Sequence, residues 1–334
     1  MERLSVTVIG AGVAGLCCAL ELAERGARVE VVDRGRALGD GACSWQAGGM
    51  LAPWCERATT DAAVAVRGGS ALDWWAGHFP GTVRKGTLVV AQSRDAADLT
   101  RFAGRTEHFD WVDADRIATL EPDLAGRFRR GLFFAGEGHL EPRRALAALV
   151  ERLAERGVPV RFGVDLLPDA APGDFVVDCR GLAARDALPD LRGVRGEMAV
   201  VRCRDVALAR SVRMLHPRIP LYIVPRGDGL FMIGATMIES EQRGPVSVRS
   251  AVELLNAAYA LHPAFGEAEI VELGADLRPA FPDNLPQVRR EGRVLHANGL
   301  FRHGFLLAPD LARQVAKTIQ METNDADFPE RRRA

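Results

Sequence analysis

Gly10, Gly12, Gly15 and Asp33 are the residues whose types and spacing most directly imply chemistry. They stand in the turn Gly10-Ala11-Gly12-Val13-Ala14-Gly15, with an acid 18 positions after the last glycine. In such a turn the first glycine permits a tight bend. The second lets the backbone approach a pyrophosphate, and the third lets a helix pack closely on a strand. The N–H groups at the helix start then face the phosphate charge. Asp33 is placed to accept hydrogen bonds from ribose hydroxyls. An acid there disfavours a 2′-phosphate, so NADP does not suit this site.

The elements that must position these residues are legible around them. Leu4-Ser5-Val6-Thr7-Val8-Ile9 reads as a buried strand. Residues 16–25 carry apolar side chains at helical spacing, and Gly26 ends that helix. Ala27-Arg28-Val29-Glu30-Val31-Val32 is a second strand, ending in Asp33. A lone glycine motif is weak, but a complete βαβ unit with its acid in place argues for dinucleotide binding. The turn does not choose between FAD and NAD; the next segment does. Residues 39–53 are small and glycine-rich, and Ala47-Gly48-Gly49 suits a backbone lying close against a flat ring or a phosphate.

Composition narrows the function classes. The chain has 334 residues, 43 Lys and Arg against 44 Asp and Glu, and a formal net charge of -1. That balance argues against non-specific nucleic-acid binding, which needs a phosphate-neutralising surface. No apolar run has the length of a membrane span, and the N-terminus goes straight into a strand, so the cytoplasm is the expected compartment. The six cysteines form no C-x-x-C pair and read as buried free thiols. Neither a Walker A, a G-x-S-x-G nor an H-E-x-x-H pattern occurs. The acidic run at 110–115 fails the EF-hand spacing and reads as a solvated helix start.

Helix and strand alternate through the first half of the chain, as an α/β fold requires. Helices are expected over 61–79, 95–105, 114–120 and 143–156, and strands over 86–91, 131–134, 159–162 and 174–181. From about 196 to 275 the pattern changes. Strands at 198–202, 222–225 and 230–236 and a helix at 248–261 suggest a mostly antiparallel α+β unit. A strand at 294–299 and a closing helix at 310–321 return to the opening sheet. Residues 323–334 are polar and charged and read as a disordered tail.

Six markers in order give the chain a resemblance. They are the opening βαβ unit, Ala47-Gly48-Gly49-Met50-Leu51-Ala52-Pro53, Tyr222-Ile223-Val224-Pro225-Arg226, Ile233-Gly234-Ala235-Thr236-Met237, Leu277-Arg278-Pro279 with Pro282-Asp283-Asn284-Leu285-Pro286, and Arg302-His303-Gly304-Phe305-Leu306-Leu307-Ala308-Pro309. On these the chain resembles the glycine oxidases of thiamine biosynthesis, within the D-amino acid oxidase and sarcosine oxidase superfamily, over about residues 4–320. The resemblance implies an α/β fold: a Rossmann-like FAD-binding domain (1–80, 138–197 and 274–322) with an interleaved, mostly antiparallel α+β substrate domain (81–137 and 198–273). It implies non-covalent FAD, since 278–286 holds no cysteine. The cofactor site would comprise Gly10, Ala11, Gly12, Val13, Ala14, Gly15, Asp33 and Arg34, then Ser44, Ala47, Gly48, Gly49 and Met50. Leu300, Phe301, Arg302, His303, Gly304, Phe305 and Leu306 would close over the flavin. Arg278 matches the arginine that pairs with the substrate carboxylate, and Tyr222, Met237, Arg302 and Met50 match positions lining the substrate cavity.

The implied reaction is oxidative deamination of glycine, with sarcosine or small D-amino acids as further substrates. It yields imine or glyoxylate, ammonia and hydrogen peroxide, with oxygen as acceptor and glycine imine handed on to thiazole synthesis. A homo-oligomer is expected. The flavin carries the chemistry, so no residue is assigned as a catalytic acid or base, and His303 reads as structural. Two other readings share the motifs: an amino-acid dehydrogenase with a different acceptor, and a non-catalytic flavin redox sensor. The arginines Arg278 and Arg302 argue against the sensor, which needs no carboxylate anchor. Arg180, in Asp178-Cys179-Arg180-Gly181, departs from the small-residue run usual at this place, and Pro282-Asp283-Asn284 is more polar than in many relatives.

Overall fold

The computed structural model describes residues 3–215 and 221–326. The chain clusters into two compact units, one of residues 1–45, 143–192 and 279–334, the other of 46–142 and 193–278. Residues 46–80, grouped above with the FAD-binding domain, cluster with the second unit. Strand Met50–Leu51 pairs there with Gly138–His139.

The first unit is built on a six-stranded sheet. Its order is Gln287–Glu291, Val294–Asn298, Phe175–Asp178, Ser5–Ile9, Arg28–Asp33 and Val160–Phe162. All neighbours are parallel except the hairpin of the first two strands. Interior strands of a parallel sheet are covered on both faces, which is why Val6, Val8, Ile9, Val176 and Val177 are all buried. Helix Val13–Glu24 buries Leu16, Cys17, Cys18, Ala19 and Leu20 together. A helix this apolar must be covered on more than one side, and the long helix Gly304–Ala326 packs along it. That closing helix starts at Gly304 and carries Pro309 inside it, six residues before its expected start. The His303 carbonyl accepts the first bond, from Leu307 N at 2.8 Å. The helix also runs through 323–326, within the expected tail; residues 327–334 lie outside the described ones.

The second unit holds an eight-stranded sheet. Its order is Glu269–Ala280, Arg192–Arg202, Leu230–Gly234, Leu221–Gly227, Ser211–Leu215, Thr87–Ala91, Arg130–Phe134 and Asp110–Asp113. The Ser211–Leu215 and Thr87–Ala91 pair is parallel, in a sheet whose other described registers are antiparallel. Strand side chains alternate between faces. Leu88 and Val90 therefore join one core with Ile223, Phe231 and helix Val248–Leu261, while Val89 and Ala91 join another with Cys55, Leu99 and Phe134. The acidic run resolves as strand Asp110–Asp113 followed by helix Ala114–Leu120. Asp113 caps that helix by accepting from Arg116 N at 2.9 Å. The expected helix at 61–79 is two, Ala62–Gly68 and Ala71–His78. None of the six cysteines is in a disulfide, and all are buried except Cys43, which is half-buried. Among the described residues no helix is long and apolar enough to cross a membrane.

One buried carboxyl makes stability depend on pH. Glu137 is fully buried and accepts from Trp54 N at 2.9 Å and Cys55 N at 2.7 Å, at the start of helix Pro53–Arg57. Burial pushes it from 4.5 to about 8, against the pull of those N–H groups. The folded state thus holds this proton more tightly than the unfolded chain. Its stabilisation is complete below pH 4.5 and lost as pH rises through 8, on the order of 4 kcal/mol at full extent. Glu137→Gln keeps the acceptor oxygen and removes the charge. Urea unfolding at pH 5 and pH 8.5 is expected to show a markedly smaller loss for Glu137→Gln than for the wild type.

Candidate active site

In the first unit the glycine turn sits at the end of strand Ser5–Ile9. Gly10 has φ +106° and donates to Val32 O at 2.8 Å. A Cβ on Gly10 would lie 2.5 Å from Cys179 O, and one on Gly15 would lie 1.8 Å from Gly10 O. Both glycines are therefore required by the protein's own backbone. Gly12 differs. A Cβ there would meet nothing closer than Ser44 Oγ at 3.6 Å. Protein packing leaves room at Gly12, beside a helix start whose cap residue supplies no side-chain acceptor. An open glycine at a helix N-terminus suits a pyrophosphate, so these residues fit a dinucleotide.

Asp33 holds the turn. Oδ2 accepts from Ala11 N at 2.6 Å and Oδ1 from Gly35 N at 2.7 Å. Each carboxylate oxygen keeps a further acceptor site for a ribose hydroxyl. Val13 N donates to Ser44 Oγ at 3.3 Å, and Ser44 is buried. Arg34 is exposed, while Ala11 and Val13 are buried and Ala14 half-buried. From the far end of the chain, Gly304 comes up to Val13: a Cβ on it would lie 3.5 Å from Val13 Cγ1. The bend before it is fixed by Phe301 N to Pro279 O at 2.9 Å and His303 N to Leu300 O at 2.9 Å. Leu300, Phe301, His303, Phe305 and Leu306 are buried, and Arg302 is half-buried.

Arg180 turns inward to its own strand end. Its Nε and Nη2 donate to Asp178 at 2.9 Å, and its Nη1 and Nη2 reach Asp186 at 3.0 Å. Asp178 is buried and also lies 2.9 Å from His296 Nδ1. Burial alone would raise this carboxyl, but His296 and Arg180 outweigh it and hold it below the usual carboxylate range. Arg180 thus clamps the strand end beside Gly10.

In the second unit, Gly48 and Gly234 both serve Tyr222. A Cβ on either would lie 2.7 Å from Tyr222 Cε2. Gly49 has φ +79°, and a Cβ on it would strike Leu140 O at 2.1 Å. Ala47 O accepts from Arg226 Nη2 at 2.9 Å, and Arg226 also pairs with Glu141. Gly48 and Gly49 therefore make room for contacts within the protein. Met50 is half-buried on its short strand, and the Met237 side chain is 53% exposed.

Arg278 is seated by two residues that its own sequence neighbourhood does not reveal. Its Nη1 donates to Thr236 O at 3.1 Å. Gly196 leaves the space its guanidinium fills, because a Cβ there would lie 2.1 Å from Nη2. Gly196 lies in strand Arg192–Arg202, just before the span where apolar alternation marks a strand in sequence, so no local signal pointed to it. The structure brings Arg278, Thr236 and Gly196 together in the second unit. It places Arg302 in the first.

A glycine turn at a strand end, a helix start and an acid on the next strand define an α/β protein of the dinucleotide-binding class. The chain belongs to the D-amino acid oxidase type of FAD-dependent oxidoreductase, whose family model matches residues 5–318. It is 54% identical over 330 residues to the thiamine biosynthesis oxidoreductase ThiO of Rhizobium etli, covering 98% of this chain and 99% of that one. It is 28% identical to the glycine oxidase of Geobacillus kaustophilus, covering 98% of this chain and 96% of that protein. The crystal structure of that glycine oxidase superposes with a TM-score of 0.79 at 26% identity, covering 96% of this chain and 95% of that one. The α/β fold and the dependence on FAD expected from the sequence both hold.

Proposed function

We propose that the chain oxidatively deaminates glycine, consuming oxygen and water and releasing glyoxylate, ammonia and hydrogen peroxide. The observation that carries this reading is the seat of Arg278. A guanidinium seated against Thr236 O has the planar fork geometry that matches a carboxylate. Two parallel hydrogen bonds fix the direction of the substrate's Cα as well as its charge. The names of the relatives, glycine oxidase and a thiamine-biosynthesis oxidoreductase, support a small amino acid as substrate and a place in thiamine biosynthesis.

Gly10, Gly12, Gly15, Asp33 and Ser44 would hold the ADP half of FAD non-covalently, and residues 300–306 would flank it. Bound FAD supplies the acceptor for the hydride that leaves the α-carbon. The work of the protein is positional: Arg278 binds and orients the carboxylate, and Tyr222, wedged between Gly48 and Gly234, presents a fixed ring face. No side chain is assigned to move a proton. The amine reacts in its neutral form, and water hydrolyses the released imine.

The test is the visible spectrum of the FAD-loaded protein, before and after glycine is added without oxygen. Bleaching by glycine, recovery in air and matching peroxide are expected. Bleaching that persists in air would assign a different electron acceptor. No bleaching by glycine, sarcosine or small D-amino acids would overturn the reading.

A further inference from the structure

Strand Arg192–Arg202 carries a buried ion pair that the reaction above does not use. Arg195 and Glu197 lie two positions apart, on one face of the strand. Arg195 Nε and Nη2 donate to Glu197 Oε1 at 3.0 and 2.8 Å. Glu197 is only 1% exposed and Arg195 is 9% exposed. A buried pair of this kind must be organised by further hydrogen bonds to offset its desolvation, and those bonds point in two directions.

One direction is Arg278. The Thr236 hydroxyl donates to Glu197 Oε2 at 3.4 Å and accepts from Glu197 N at 2.9 Å, and Glu197 O accepts from Thr236 N at 3.1 Å. Thr236 O is the acceptor that holds Arg278 Nη1. The other direction is the exposed segment 239–247. Arg195 Nη1 donates to Gln242 O at 2.7 Å, and its Nη2 donates to Gly244 O at 3.2 Å and Pro245 O at 2.6 Å. Glu197 Oε1 takes Ser247 N at 3.1 Å, and Ser247 caps helix Val248–Leu261 by accepting from Ser250 N at 3.2 Å. Burial would raise the Glu197 carboxyl, but Ser250, Arg195 and Ser247 outweigh it and keep it low, so the pair is ionised.

We propose that Glu197 is a positioning residue: with Arg195 it fixes the Thr236 carbonyl that orients Arg278, and it ties that carbonyl to the 239–247 segment. The proposal rests on Arg278 being the carboxylate anchor. Truncation of Glu197 to alanine takes the acceptor oxygen away from Arg195 Nε and Nη2 and from Ser247 N. Arg195 then moves to find another acceptor, releases the segment and shifts Thr236. The carboxylate seat is lost while the residues around the FAD cradle are untouched.

The test compares FAD-loaded wild type, Glu197→Ala, Glu197→Gln and Arg278→Lys. Three quantities are read: KM and kcat for glycine, inhibition by acetate (a carboxylate with no amine), and trypsin cleavage after the exposed Arg243. Glu197→Ala is expected to raise the glycine KM and the acetate inhibition constant together by about tenfold, with kcat changed less than about threefold. It is also expected to speed cleavage after Arg243. Glu197→Gln keeps one acceptor oxygen for Arg195 and Ser247 and is expected to restore all three. Its failure to do so would assign the loss to general damage and overturn the proposal. Arg278→Lys is expected to raise KM and the acetate constant without changing the cleavage.

If Arg278→Lys raises both constants and Glu197→Ala moves neither, the positioning role falls and the anchor stands. If Arg278→Lys moves neither constant, the anchor falls and takes the proposal with it. Should Glu197→Ala fail to fold, Arg195→Lys keeps the charge but loses the fork. It is expected to raise the acetate constant likewise, and an unchanged constant overturns the proposal.

Discussion

Gly12→Ala is expected to yield a folded protein that no longer retains FAD. Its stability without cofactor should match the wild type to within about 0.5 kcal/mol, as for an ordinary tolerated substitution. The reason is steric and local. The added methyl would touch Ser44 Oγ at 3.6 Å and Ala42 Cβ at 4.0 Å, both ordinary contacts. Alanine at a cap position costs little beyond that, because Gly12 already supplies no side-chain acceptor. A pyrophosphate lying against this backbone would meet the methyl directly, and a loss of about 2 kcal/mol corresponds to roughly thirtyfold in affinity. Gly15→Ala provides the contrast. Its methyl would lie 1.8 Å from Gly10 O, a backbone atom that cannot step aside without opening the turn. Overpacking against backbone costs roughly 3 kcal/mol or more, so this variant should lose both FAD and thermal stability. FAD titration by fluorescence together with thermal melts of the cofactor-free proteins checks both. A Gly12→Ala protein that binds FAD like the wild type would show that the open position is not kept clear for the cofactor.

Gly196→Ala should cripple substrate binding with little cost to folding. The clash at 2.1 Å is with the Arg278 Nη2 atom, the far end of a flexible side chain. The guanidinium can swing away, so the strand survives; but the displaced fork no longer presents two parallel donors in one fixed direction. A charge-assisted hydrogen bond lost at such a site is worth roughly 1.5–3 kcal/mol, so kcat/KM for glycine is expected to fall by about 10- to 100-fold. FAD content and melting temperature should stay close to wild type. Steady-state kinetics with acetate as competitor separates this loss from a defect in the chemical step. Unchanged kinetics in Gly196→Ala would mean that the seated position of Arg278 is not the one that recognises substrate.

What the residues declare locally and what they do not is visible in these two sites. Strand, turn, helix, strand and acid from Ser5 to Asp33 are legible in order, because each follows from a spacing within a few residues. Helix Val248–Leu261 and the helix start at Ala114 are legible for the same reason. Strand Ser211–Leu215 is not, since its apolar alternation is short and Arg213 interrupts it. Pro309 misleads, because a proline usually marks a helix boundary and here it sits inside the closing helix.

The sequence alone determined the βαβ unit, the family and the arginine to watch. Local periodicities and steric demands along one stretch of chain suffice for the first; the family and Arg278 follow from the resemblance carried by the six markers. Tertiary structure decided what surrounds that arginine. Gly196, Thr236 and Glu197 become its neighbours only because strand Arg192–Arg202 lies between Leu230–Gly234 and Glu269–Ala280. It also reassigned Gly48 and Gly49, which read as room for a ligand and turn out to make room for Tyr222 and Leu140 O. A missing side chain records that something comes close. What comes close is set by strand pairing between distant segments, which no spacing along the chain encodes.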